Sequence, residues 1–136
     1  MKNRIEARIE FSFKGETYSL SSNLDLDQLM ERHDSLPSIY ALLAKEHGID
    51  TYSYLYEVMQ EEAIEFSNAQ GIAADFISDG EFDQRAFSAE WQTQKILALL
   101  QPIASRELSI ADLAHHEALK KALLQAYHLG KEARSN

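Results

Sequence analysis

Between Ile5 and Phe13 every odd-numbered residue is apolar and every even-numbered one is polar. A period of two over nine residues has one economical solution, a β-strand with one greasy and one wet face. Lys14–Gly15 follows, and then a second segment that repeats the alternation in reverse. A two-residue loop there pairs Phe13 with Glu16, Phe11 with Tyr18, Ile9 with Leu20 and Ile5 with Leu24. The opposite face then matches Glu6 with Asn23, Arg8 with Ser21 and Glu10 with Ser19. A slip of one residue would mix the two faces, so the register is well specified. An isolated hairpin is marginal in water, and its apolar side needs a cover.

The rest of the chain reads as helical. A first helix spans about Asp27 to His33, capped by Asp25 or Asp27, with Leu26, Leu29 and Met30 facing inward. A second starts near Ser35–Pro37 and stops before Gly48, with Leu36, Ile39, Leu42 and Leu43 as its apolar positions. Ile49 fits the hydrophobic contact that accompanies a glycine C-cap. A third runs from Asp50 to about Gln70, where a 100° spacing gathers Tyr52, Leu55, Met59, Ala63 and Phe66. The stretch "IAADFI" is either a short helix or a continuation of that one. A fourth helix covers about Asp83 to Gln101, ending near Pro102, with apolar residues on two sides. A fifth begins at Ser109, where "SIAD" approximates a capping box, and continues to about Gly130.

The expected fold class is therefore α+β: an N-terminal antiparallel β-hairpin packed on a bundle of four to five α-helices. The expected organisation is a single domain over 1–136, with the hairpin at 1–24, the bundle at 25–130 and a frayed tail at 131–136. The 45 % apolar and 26 % charged residues suit a globular protein. With no cysteine, disulfide scaffolds, thiol nucleophiles and iron–sulfur clusters are excluded. The opening "MKNRIEARIEF" interrupts its apolar residues with charge, unlike a signal peptide, and no apolar run is long enough to span a bilayer. A cytoplasmic location is the expectation. A net charge of −9 with no dense Lys/Arg cluster argues against nucleic acid as a partner.

Two constellations stand out. In "ADLAHHEAL" a helix would bring Asp112 close to His115 and His116, a carboxylate–imidazole set able to hold a divalent metal or to orient a general base. Glu62, lying between Leu55, Val58 and Phe66 on the third helix, would complete a site if the two helices met. The same residues have an ordinary structural account, with Asp112 at a helix start and the histidines on its rim. The second constellation is Glu57, Glu61 and Glu65, four residues apart on the third helix with no base beside them. This row, together with an outward-pointing Tyr54, could face a protein partner. No phosphate loop, nucleophile elbow or dinucleotide fingerprint is present. The leading expectation is a small acidic, non-enzymatic module that forms a homodimer and binds another, unidentified protein, with no cofactor. The alternative is a metal-dependent enzyme or metal-binding protein using Asp112, His115, His116 and Glu62.

Overall fold

A computed structural model describes residues 2–33 and 35–135. Strand β1 (Arg4–Phe13) and strand β2 (Glu16–Asp25) form the hairpin. They are followed by α1 (Leu26–His33), α2 (Ile39–Glu46), α3 (Tyr54–Met59) and a third strand, β3 (Glu65–Gln70). A 3₁₀ turn (Gly71–Phe76) leads into a minimal ribbon of β4 (Ile77–Ser78) and β5 (Glu81–Phe82). Helix α4 (Gln84–Leu108), a second 3₁₀ turn (Leu113–His115) and α5 (Glu117–Ser135) complete the chain. The chain divides into two compact units, Met1–Ser88 and Ala89–Asn136. No helix among the described residues is long and apolar enough to cross a membrane.

The first unit carries the α+β architecture. The hairpin register matches the sequence expectation at every pair named above. Lys14 and Gly15 both take positive φ, 52° and 80°, as a type I′ turn requires. Ile5, Ala7, Ile9 and Phe11 of β1 and Leu20 and Leu24 of β2 are buried on one face. Helices α1, α2 and α3 pack on the sheet and bury Leu26, Met30, Ile39, Leu43, Ala44, Tyr56 and Met59. At about 25 cal/mol per Å² of apolar surface, burial of this kind is the main stabilising term of the unit. The end of α2 is a Schellman cap, in which Ile49 N donates to Ala44 O (2.7 Å) and Gly48, at φ 72°, donates to Lys45 O (3.4 Å).

The expected third helix, Asp50 to Gln70, is not what forms. Ser53 caps α3 by accepting from the Tyr56 amide, and the helix ends at Met59. Glu61 and Glu62 then donate to carbonyls three residues back, tightening the last turn. Glu65–Gln70 instead pairs antiparallel with β1, so β1 is the central strand of the order β2-β1-β3. The pairing contains a bulge, where Asn68 sits at φ 50° and its amide donates to Glu6 Oε2 (2.6 Å). Two effects favour the strand. An unbalanced row of glutamates weakens a helix, and β1 offers a line of unpaired backbone groups. The rings of Phe66, Phe82 and Phe87 then pack in sequence at 5.5 Å spacing, tilted by 55° and 52° to one another.

In the second unit, α4 does not end near Pro102 but continues to Leu108, and Ala104 is buried beyond the proline. Ser109 then turns the chain at φ 55°. Helix α5 begins at Glu117, later than expected, and runs through Gly130 to Ser135; Asn136 lies outside the described residues. None of the described side chains of α5 is fully buried, and Leu129 is 66 % exposed. On α4, Leu99, Ile103 and Leu108 are likewise exposed.

Candidate functional site

Asp112, His115 and His116 do not lie on one α-helix. Asp112 adopts an extended conformation and caps the 3₁₀ turn, its Oδ1 accepting from the Ala114 amide (2.9 Å). Its Oδ2 lies 3.3 Å from His115 Nε2, with the two side chains 55 % and 81 % exposed. His116 follows the turn, and its carbonyl accepts the Lys120 amide in the first bond of α5. Asp112 and His115 are therefore brought together, while His116 serves the backbone. Glu62 is exposed rather than buried, and its contribution is a backbone carbonyl that accepts the Tyr40 hydroxyl (2.6 Å). Burial, with the Glu62 charge adding to it, raises the Tyr40 pKa and keeps that hydroxyl a donor. Among the described residues no group of three or more His, Asp or Glu side chains is placed to hold a metal ion.

The loop before Asp112 is organised by Gln101, a residue the sequence reading did not single out. Its Nε2 donates to the carbonyls of Ile110 (3.0 Å) and Ala111 (3.1 Å), and its Oε1 accepts the amide of Leu113 (2.8 Å). Leu113 is 1 % exposed, so this amide has little access to water. Gln101→Ala is expected to lower stability by about 1–3 kcal/mol, the usual cost of an unsatisfied buried donor. Thermal unfolding followed by circular dichroism checks this, and Gln101→Glu should recover none of the loss, because its second oxygen would face the Ile110 and Ala111 carbonyls to which Nε2 donates.

The row of Glu57, Glu61 and Glu65 is dispersed over α3, the turn after it and β3, because the expected helix is replaced by a strand. All three side chains remain exposed. The charge around them is more one-sided than a helical row would be. From Glu46 to Gln84 there are ten acidic residues and no Lys or Arg. The first unit holds seventeen acidic and seven basic residues, the second five and six. This partition was available from the sequence as a count by segment.

Tyr54, expected to point outward, is 68 % exposed and rests against Phe13 with ring centroids 5.8 Å apart. Tyr52, expected in the apolar stripe, is instead 97 % exposed, since it precedes α3. Phe11 and Tyr18 stack at 5.1 Å, and Tyr18 donates to Glu16 Oε2 (3.1 Å), which raises the tyrosine pKa. The hairpin end of the apolar face thus carries three aromatic side chains with some access to solvent: Phe13 and Tyr18, partly exposed, and Tyr54, which rests on Phe13.

Beside them lies an open sheet edge. In a two-residue hairpin the closing pair, here Phe13 and Glu16, exchanges both hydrogen bonds, and bonded and non-bonded pairs alternate from there. The amides and carbonyls of Thr17, Ser19, Ser21 and Asn23 therefore point away from β1. The Ser21 carbonyl bears this out, accepting from His47 Nε2 (3.0 Å), while Glu46 accepts the hydroxyl of Ser22. Among the described residues no strand pairs with the outer edge of β2, which is ten residues long and contains no Lys, Arg, Pro or bulge. Those are the usual devices that keep an edge from pairing. The sequence pointed to unpaired hairpin edges. The structure occupies the β1 edge along Arg4–Arg8 with β3 and leaves that of β2 open. No protein family, curated protein or solved structure matches the chain.

Proposed function

We propose that this chain is a non-enzymatic binding module that docks other protein chains on the open edge of β2, and that its first partner is a second copy of itself. The observation that carries this reading is the unpaired edge of β2 between the turn and Ser21, with the partly exposed Tyr18 ring on the same strand. Backbone groups along such an edge supply affinity by strand addition, and exposed tyrosines are favoured at the centres of protein interfaces. Tyr54, which rests against Phe13 of β1, would belong to a separate partner surface. The exposed carboxylates of Glu57, Glu61 and Glu65 would face a further partner carrying positive charge.

Sedimentation equilibrium over a wide concentration range tests the reading. The expected result is a monomer–dimer equilibrium that Ser19→Pro abolishes. The Ser19 amide points away from β1, so proline there removes no bond of the hairpin itself, and the circular dichroism of the variant should be unchanged. A protein that stays monomeric at the highest concentration overturns the self-pairing.

A further inference from the structure

We infer that two copies join β2 to β2 in antiparallel fashion about a two-fold axis through Tyr18, extending the three-stranded sheet across both chains. This rests on the proposed use of the β2 edge and adds its register. His47 already occupies the Ser21 carbonyl, so the free ladder lies between the turn and Ser19. An antiparallel pair about a two-fold axis matches residues equidistant from the axis. With the axis at Tyr18, Thr17 of each copy exchanges both backbone bonds with Ser19 of the other, and every outward group of these two residues is satisfied. An axis at Thr17 sets Ser19 against the turn. An axis at Ser19 sets Thr17 against Ser21, whose carbonyl is taken.

Two further features fit a second copy rather than a foreign strand. The first is charge. Beyond the pair of Glu16 with Leu20 of the second copy, the turn that carries Lys14 lies towards that copy's Ser21 and Ser22, and the Ser22 hydroxyl is held by the Glu46 carboxylate. Lys14 Nζ lies over the Phe13 ring at 5.3 Å, and Phe13 belongs to the same apolar side of the hairpin as Ser22. A swing of the flexible lysine stem then lets each ammonium reach the Glu46 carboxylate of the other chain, and the symmetry repeats the contact. The second is the apolar surface. A two-fold axis perpendicular to the sheet keeps both apolar faces on one side, so Tyr18 meets its own copy between the two Phe11 rings, each stacked at 5.1 Å on its own Tyr18.

Because the chain has no cysteine, single-cysteine variants read the register directly. Thr17→Cys, Tyr18→Cys and Leu20→Cys are oxidised mildly and resolved on a non-reducing gel. Residues facing each other in a non-hydrogen-bonded pair have Cα atoms about 4.5 Å apart, inside the range a disulfide spans. The expected result is a disulfide-linked dimer at least roughly tenfold more abundant for Tyr18→Cys than for either neighbour, whose Cα atoms would be about 7 Å or more from their copies. Lys14→Glu and Glu46→Lys should each weaken the dimer roughly tenfold, and the double variant should restore it. Cross-linking strongest at Leu20, or at none of the three in a protein that still sediments as a dimer, overturns this register while leaving self-association intact. A wild-type protein that remains monomeric overturns both.

Discussion

Gly71→Ala is expected to lower the stability of the first unit by about 3–5 kcal/mol, the largest loss expected from adding a single methyl group. Gly71 has φ 75°, a conformation that costs an L-residue about 1 kcal/mol by itself. The greater part is steric. A Cβ at this position would lie 2.3 Å from Asn3 Oδ1 and 2.7 Å from the Lys2 carbonyl oxygen. Asn3 cannot move aside without loss. It is 3 % exposed, its Oδ1 accepts the Ile72 amide (2.6 Å), and its Nδ2 donates to Asp27 Oδ1 (2.7 Å). Its backbone amide donates to the other oxygen of Asp27 (2.9 Å). One side chain thus ties the start of β1 to the first turn of α1 and to the 3₁₀ turn after β3. Gly15→Ala is the control. That glycine has a similar φ, 80°, but nothing within 4 Å of the added carbon, so only the conformational cost of about 1 kcal/mol applies. Chemical denaturation monitored by circular dichroism should separate the two variants clearly.

Pro102→Ala is expected to act in the opposite direction, stabilising α4 by about 2 kcal/mol. Proline inside a helix forfeits the bond to the carbonyl four residues earlier and crowds it, at a cost of about 3 kcal/mol. Removing it also frees the unfolded chain, which returns up to about 1 kcal/mol of the gain. The helix tolerates Pro102 because both it and Ala98 are exposed, so the orphaned Ala98 carbonyl can bind water. Beyond it, Ala104 is 2 % exposed and the Ile110 amide donates to its carbonyl (3.2 Å), while Gln101 and Ser105 hold the following loop. Helix content by circular dichroism and a rise of roughly 6 °C in Tm would report the change. If the segment after Pro102 were not helical in solution, neither quantity would move.

The hairpin could be read residue by residue because every signal in it is local. The alternation, the two-residue turn and the in-register apolar pairs lie within a short stretch of chain and agree with one another. The same holds for α1 and for the glycine cap of α2. Residues 60–70 could not be read this way. Their apolar spacing suits a helix, yet Ala63 ends exposed and Phe66 is buried from a strand. The decision came from β1, some sixty residues earlier, whose free backbone groups outweigh a periodicity that a helix there would have had to sustain with unbalanced charge. The expected helical face of Asp112, His115 and His116 does not form, for a related reason. Its residues share a helical face only if a helix begins at Ser109, and the Gln101 clamp holds that stretch in a loop.

Periodicity, turn chemistry and charge count thus contain the hairpin, its register, the acid-rich first unit and the helical character of the chain's second half, since each depends on neighbours within a few bonds. Which strand edge is closed by β3, which is left open on β2, and how far His47 caps it depend on hydrogen bonds between residues about twenty-five to sixty apart. Backbone amides and carbonyls are chemically alike at every position, so no side-chain pattern announces their pairing, and only the folded arrangement selects it.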